Sequence, residues 1–456
     1  LSDQSPLAPP GIFKAYDIRG LYGEEMDETT ATAIGRAFAR VLGRLRGKQP
    51  SELRVGLGRD MRLTAPAMAG AVREGLIAEG ATVLDAGQVA TEMLYHLVGS
   101  RELDGGAMVT ASHNPKAYTG VKLVREGALP LSGDAGIGDV KAEIEGGLGG
   151  SSEEVDIWDE FRAHALSFVD PANVKPMKVV VDGGNGMGGP MVGPILEQLP
   201  LELEEMYFVP DGEFPDHEPN PLLEENRRMI IDRVQRSGAD LGIAWDGDAD
   251  RCFFIDGNGS FCDGDFVCAL LARSILQKNP GATILYDPRS SRAVPDLVAA
   301  EGGRSDLSRV GHAFFKARMR EEEAAFGGEV SGHYYFRDFW NADSGTIPAL
   351  LVLELLSLDG RTLAELMEEF RSRYFISGEI NSEVADAEAK MAEIEERYSN
   401  GGKVTHLDGV SIDFDDWHFN VRPSNTEPLL RLNLESLVSR EDMERRRDEV
   451  LGLIRA

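Results

Sequence analysis

The sequence predicts an α/β protein built from three related mixed-sheet domains in series, followed by a smaller C-terminal α+β domain. Three observations carry that expectation. Apolar, β-branched runs that break at Gly/Asp turns and lead into helical patterns recur at LRVGLGRDMR (53–62), KVVVDGGNGMGG (178–189) and ATILYDPRSS (282–291). Strand, turn, helix is how an α/β unit opens. The end of the chain differs: two charged helical patterns, SEVADAEAKMAEIEERY (382–398) and SREDMERRRDEVLGLIR (439–455), surround a strand pair. At 456 residues the chain has room for several cores. Weak linkers near GGLGGSSEE (146–154) and IDGNGS (255–260) place the domains at 1–152, 153–257, 258–370 and 371–456.

Composition narrows the function. Acidic residues outnumber basic ones by 77 to 47, a formal charge of −30, which argues against a nucleic-acid or anionic-membrane surface. An anionic substrate then needs its positive groups gathered in one place. The most apolar segment, PALLVLELLSL (348–358), is short and carries Glu354, well under the roughly 20 residues that span a bilayer. No signal-peptide pattern opens the chain. Cys252, Cys262 and Cys268 lack zinc spacing and are too few for a disulfide framework, which fits a reducing cytoplasm.

Along the chain, the first stretch with chemical content is AMVTASHNP (107–115). An apolar strand stops there at a hydroxyl, an imidazole, an amide and a proline. Ser and Asn before Pro are ordinary turn formers, and on the local pattern alone Ser112 reads as a turn residue rather than a nucleophile. Next, Gly184, Gly186 and Gly189 spell GxGxxG after the strand KVVVD, with acidic residues near 202–205. That is the dinucleotide fingerprint, but as the second of three similar openings it reads better as a structural strand-to-helix turn.

DGDADR (246–251) sets Asp246, Asp248 and Asp250 at alternate positions directly after a short strand. Three carboxylates so close repel one another unless a divalent cation neutralises them. A calcium EF-hand loop needs Gly at position six and Glu at twelve, where this chain has Arg251 and Gly257. A magnesium site is the favoured reading and a solvated Asp-rich turn the bland one. GEVSGH (328–333) places Glu329 and Ser331 two apart. In an extended strand both point the same way, as a holder of vicinal sugar hydroxyls requires. Alone the motif is ambiguous. In RPSNTEP (422–428), Arg422, Ser424, Asn425 and Thr426 offer a planar fork, two hydroxyls and an amide within five residues. Such a cluster suits the oxygens of a phosphate monoester better than it suits a plain turn.

TASHNP, DGDADR, GEVSGH and RPSNTEP, in this order and spread over the whole chain, resemble the α-D-phosphohexomutase family, most closely its bacterial phosphomannomutase/phosphoglucomutase branch. The resemblance implies four domains around a central cleft and a reversible exchange of hexose 1-phosphate and hexose 6-phosphate, of mannose, glucose or both. It implies that Ser112 is the phosphorylated residue, with one Mg²⁺ held by Asp246, Asp248, Asp250 and Ser112, and a hexose 1,6-bisphosphate as intermediate or activator. Arg19, Lys122, Arg251 and His333 would line the reacting centre, with Lys122 pairing phosphoryl oxygens or assisting proton transfer and His333 acting as general base. Tyr16, Arg289, His312, Glu329, Ser331, Arg422, Ser424, Asn425, Thr426 and Arg431 would bind substrate. Sugar phosphates would be the partners of a cytoplasmic monomer or weak homo-oligomer, with no nucleic acid and no membrane.

Departures from the family pattern are Arg289, where lysine is common, and GRDMR (58–62) in place of GRDGR. Val330 and Asn425 differ from the Gln and Gly usual in phosphoglucosamine mutases, the nearest alternative. Two other classes compete. A sugar-phosphate-binding protein without turnover has little use for the aspartates, and a serine hydrolase has none.

Overall fold

Each of the three repeated openings folds as strand, turn and helix: Arg54–Arg59 into Ala65–Ala78, Met177–Asp182 into Gly188–Leu196, and Thr283–Tyr286 into Ala293–Ala300. Val179, Val180 and Val181 are completely buried, as a strand covered on both faces requires. The computed structural model describes residues 8–14, 17–131, 137–142, 151–423 and 429–456. Two compact units emerge, Leu1–Phe261 with Ser331–Thr362, and Cys262–Val330 with Leu363–Ala456.

The first unit contains two mixed sheets. In one, the strand order is Ile18–Leu21, Tyr118–Arg125, Gly105–Val109, Arg54–Arg59, Thr82–Gln88 and Ser151–Glu154, and Leu129–Pro130 also pairs with Tyr118–Arg125. Tyr118–Arg125 runs antiparallel to both its neighbours in this order, while the strands from Gly105–Val109 onward are parallel. Part of the expected linker therefore has structure: Ser151–Glu154 is an exposed edge strand on Thr82–Gln88. The register of the antiparallel pairs matters for function. Met108 faces Lys122 and Gly120 faces Arg19, which returns two cations to the loop that follows Val109.

The second sheet runs Cys252–Asp256, Leu241–Trp245, Met177–Asp182 and Leu201–Met206, with only the first pair antiparallel. Trp245 pairs with Cys252, so DGDADR is the connection between two adjacent antiparallel strands. Helix Thr346–Asp359 is apolar all round and buried from Thr346 to Ser357, as an interior helix should be. Its Glu354 accepts from Asp170 N at 2.9 Å and Asn173 Nδ2 at 3.1 Å, which offsets the cost of burying a carboxylate.

In the second unit, Arg304–Leu307, Thr283–Tyr286 and Phe326–Gly328 form parallel pairs in that order. A separate antiparallel sheet follows, ordered Phe375–Ile376, Leu429–Ser436, Trp417–Pro423, Val410–Asp413 and Lys403–Thr405, with Ile380–Glu383 also on Leu429–Ser436. Ile412, Phe419, Leu430, Leu432 and Ile454 anchor its core. The helix expected from 382 begins later, at Ala387. Ser382 and Glu383 belong to a strand, and Asp386 starts the helix by accepting from Ala389 N. Ser439 caps Arg440–Arg455 in the same way. Among the described residues no helix is long and apolar enough to cross a membrane. All three cysteines are buried and in no disulfide.

Candidate active site

Strand Gly105–Val109 delivers its C-terminal end into a loop where Ser112 takes a left-handed conformation, φ 53°. Non-glycine residues adopt that geometry only under backbone strain, so something must hold it. Ser112 N donates to Thr110 Oγ1 at 2.8 Å. The larger restraint is Arg62. Its guanidinium donates to the carbonyls of Ser112 and Asn114 at 2.6 Å each, and of Pro115 and Tyr118 at 3.1 and 3.2 Å. Arg62 is itself buried against Asp60, 3.2 Å away. One planar fork thus fixes the backbone on both sides of the serine, a task that a lysine cannot perform. The turn reading of Ser112 is correct locally, and the turn aims the hydroxyl: Oγ lies 3.4 Å from Asp246 Oδ2 and 3.2 Å from His113 Nδ1.

All three loop aspartates are buried. Asp246 faces Arg251, whose Nε lies 2.8 Å from Oδ2. Lys122 Nζ donates to Asp248 Oδ2 at 2.7 Å and to Asp250 Oδ2 at 2.6 Å, and Thr91 Oγ1 donates to Asp248 Oδ2 at 2.6 Å. Burial pushes the Asp246 carboxyl up to about 7, with repulsion from Asp250 and Asp248 adding to it and Arg251 opposing. Burial also acts against a charged Asp248, but the ammonium of Lys122 and the hydroxyl of Thr91 outweigh it and hold that carboxyl well below its usual range. Lys122 is correspondingly held charged: burial disfavours the ammonium, and Asp248 and Asp250 overcome it.

The carboxylates fit a metal. Asp248 Oδ1 and Asp250 Oδ1 are buried with no hydrogen-bond donor, and one oxygen from each of Asp246, Asp248 and Asp250 lies within 4.8 Å of the others. Converging, unsatisfied carboxylate oxygens suit a hard divalent cation such as Mg²⁺. The glycine-rich turn explains itself here. A side chain on Gly186 would sit 2.5 Å from Gly247 O, and Met187 N donates to that same carbonyl at 2.9 Å. GNGMGG therefore braces the aspartate loop.

Arg19 binds Asn114 Oδ1 and Asp17 Oδ2 at the edge of the serine loop. His333 places Nδ1 3.1 Å from Asp343 Oδ2. Burial disfavours its charged form, yet that hydrogen bond and the charge of Asp250 raise its pKa. Ser112, Asp246, Asp248, Asp250, Arg251, Lys122, Arg19 and His333 all lie in the first unit, as does Ser331. The premise for Ser331 fails, however: Val330 and Ser331 form a turn, so Glu329 and Ser331 do not alternate along a strand. Tyr16, Ser424, Asn425 and Thr426 lie outside the described residues.

The remaining candidates belong to the second unit. Glu329 Oε2 accepts from Gly311 N at 2.9 Å, just ahead of helix His312–Glu321, and sits 3.5 Å from Arg289. Arg289 is clamped by Asp287 through Nε at 2.9 Å and Nη2 at 2.8 Å. Arg422 and Arg431 face each other in register on paired strands. Both donate to Glu379, at 3.0 and 2.9 Å. Sequence reasoning missed Arg62, Thr91, Asp343 and Glu379. Only Arg62 lies in a stretch that the motifs mark out, GRDMR.

The family described as phosphoglucomutase/phosphomannomutase, alpha/beta/alpha domain I matches residues 10–146, domain II 159–259, domain III 263–374, and the C-terminal domain 379–453. A phosphomannomutase of Salmonella montevideo is 44% identical over 97% of this chain and 98% of its own length. The crystal structure of a phosphoglucomutase/phosphomannomutase family protein from Burkholderia thailandensis superposes with a TM-score of 0.88 at 31% identity, covering 98% of this chain and 97% of that one. An Aspergillus fumigatus N-acetylphosphoglucosamine mutase, solved with glucose 1,6-bisphosphate, shares the fold at TM-score 0.59 and 16% identity, over 98% and 96% of the two chains. With all four domains matched in order and a close relative along nearly its whole length, the chain belongs to the phosphoglucomutase/phosphomannomutase family.

Proposed function

We propose that this chain interconverts hexose 1-phosphates and hexose 6-phosphates of both mannose and glucose, through phosphorylated Ser112 and a hexose 1,6-bisphosphate. It is a hexose-phosphate mutase, and the observation that carries the mechanism is the serine hydroxyl held 3.4 Å from a buried three-carboxylate loop with unsatisfied oxygens. The sugar hydroxyl attacks the phosphorus of phospho-Ser112, the P–O bond to Ser112 breaks, and the hydroxyl proton passes to His333 at Nε2, with Nδ1 held by Asp343. The Ser112 oxygen is left as an alkoxide; the bisphosphate turns over, that oxygen attacks its other phosphoryl group, and the sugar oxygen released takes the proton back from His333. Lys122, Arg251 and Arg19 supply positive charge to the phosphoryl oxygens. Asp246, Asp248, Asp250 and Ser112 would hold one Mg²⁺, which would supply charge neutralisation for the phosphoryl group.

In this reading Arg422, Arg431 and the Ser424–Thr426 loop hold the phosphate that does not react, and Tyr16, Arg289 and His312 complete the substrate contacts. The four domains run 1–152, 153–257, 258–370 and 371–456, and the protein acts in the cytoplasm as a monomer or weak homo-oligomer. Three buried cysteines outside any disulfide support the reducing compartment.

A positioning role for Arg62 has a direct test. Arg62→Lys keeps a charge opposite Asp60 but cannot span four carbonyls. A slack serine loop misplaces the nucleophile, so kcat falls by about a hundredfold. The KM for sugar phosphate changes little. Steady-state kinetics beside thermal unfolding separate this from loss of fold.

Substrate range tests the reading itself. Glu329 and Ser331 are assigned to O3 and O4, which mannose and glucose share. A bisphosphate that binds both ways round cannot be gripped tightly at C2. Coupled assays should show both 1-phosphates converted with kcat/KM within roughly a hundredfold of each other. Glu329→Ala should lower both alike. Turnover of glucosamine phosphate alone contradicts the assignment.

A further inference from the structure

Three arginines assigned to the substrate, two of them to its phosphate, are already occupied by protein. Arg289, Arg422 and Arg431 converge on one carboxylate, Glu379: Arg431 Nη1 donates to Oε1 at 2.9 Å, Arg422 Nη2 to Oε2 at 3.0 Å, and Arg289 Nη1 lies 3.8 Å from Oε2. These cations come from three separate strands and loops of the second unit, yet they meet on a single side chain. Two further carboxylates, Asp287 and Glu329, approach Arg289 at 2.8 and 3.5 Å. Among the described residues three guanidinium groups thus face three carboxylates, and these six side chains carry no net charge. A phosphate monoester brings close to two negative charges, and a neutral cluster offers it no net attraction. While Glu379 stays in place, an incoming phosphate also meets a like charge at the donors it needs.

We propose that Glu379 is a built-in stand-in for the substrate's non-reacting phosphate, one that the phosphate displaces on binding and that returns when the phosphate leaves. The inference rests on the assignment of Arg422 and Arg431 to phosphate and deepens it. A carboxylate satisfies the same planar forks that a phosphate does. Arg422 also keeps one buried donor, Nε, with no acceptor, so the carboxylate fills the site only in part. The position suits exchange. Glu379 follows Ser377 and Gly378 in a short connection between strands Phe375–Ile376 and Ile380–Glu383, outside the ladder. Gly378 is left-handed, φ 67°, with open space where a side chain would be.

The role has a kinetic purpose. A bisphosphate must let go of these arginines, turn over and bind them again with its other phosphate. A competing carboxylate keeps the arginines paired during that interval and lowers the affinity for either phosphate equally. Affinity that is uniform across ground and transition states gives no gain in kcat and slows release.

The test is binding of glucose 6-phosphate and of inorganic phosphate to the intact protein by calorimetry, together with steady-state kinetics. Glu379→Gln keeps the shape and removes the charge. It should tighten both ligands by roughly tenfold, because the competitor then holds the arginines with one charge-assisted hydrogen bond fewer. KM should fall, and kcat should fall or stay level. Glu379→Ala, which cannot pair at all, should move in the same direction. Arg422→Ala should weaken both ligands. If Arg422→Ala leaves affinity unchanged, the phosphate assignment fails. If it weakens binding while both Glu379 variants bind no tighter than wild type, the stand-in is overturned and the assignment survives.

Discussion

Ser112→Ala abolishes turnover, lowering kcat roughly 10⁴-fold or more, the scale seen when a covalent nucleophile is removed from its machinery. The physical reason is that every cycle begins and ends with a phosphoryl group on this oxygen. Its hydroxyl lies 3.4 Å from Asp246 Oδ2. The fold should not notice the change. Ser112 is held by its backbone, through Arg62 and Thr110, and those bonds use its N–H and carbonyl. Alanine retains both, and the left-handed backbone costs it about what it costs serine. Thermal unfolding should therefore match wild type. Binding of sugar phosphate should persist, because the arginines of the second unit are untouched. A Ser112→Ala protein with wild-type kcat contradicts the mechanism.

Asp248→Asn should cost about 10³-fold in kcat, the equivalent of several kcal/mol of charge stabilisation. The substitution changes one oxygen for an amide of the same size. It removes a full negative charge from the set that fits a divalent ion and places NH₂ donors near Lys122 and Thr91, both of which donate to Asp248. Lys122 loses one of two carboxylates that keep it charged. Added Mg²⁺ should restore little, whereas wild type stripped with chelator should recover fully. Full activity in the variant, with full activity of the chelated wild type, contradicts the metal assignment.

What the chain discloses in one dimension is uneven. The strand-turn-helix openings were legible because burial on both faces demands β-branched runs, and a turn must follow each. DGDADR was legible because three carboxylates at alternate positions have few purposes. Arg62 was not legible, since its partners are the carbonyls of residues 112–118, and a backbone contact leaves no sequence signature. Thr91 lies 157 residues from Asp248, so only the folded chain shows them bonded. Glu379 looked like one acidic residue among 77. The alternation argument for Glu329 and Ser331 failed for a local reason: glycine on each side allowed a turn where a strand was assumed. The Gly-rich turn was legible as a structural strand-to-helix turn despite its nucleotide-like spelling, and it folds as one; the close approach of Gly247 to Gly186 shows only in the fold.

The most direct measurement is phosphopeptide mapping of the purified wild-type protein by mass spectrometry, before and after a stoichiometric addition of glucose 1-phosphate. The account predicts one phosphoryl group on the peptide containing Ser112. It predicts that this group passes to the sugar, appearing first in glucose 1,6-bisphosphate and then in glucose 6-phosphate, while Ser112 takes a new phosphoryl group from C1. A fully active protein that carries no phosphate on Ser112, or carries it on another residue, contradicts the account.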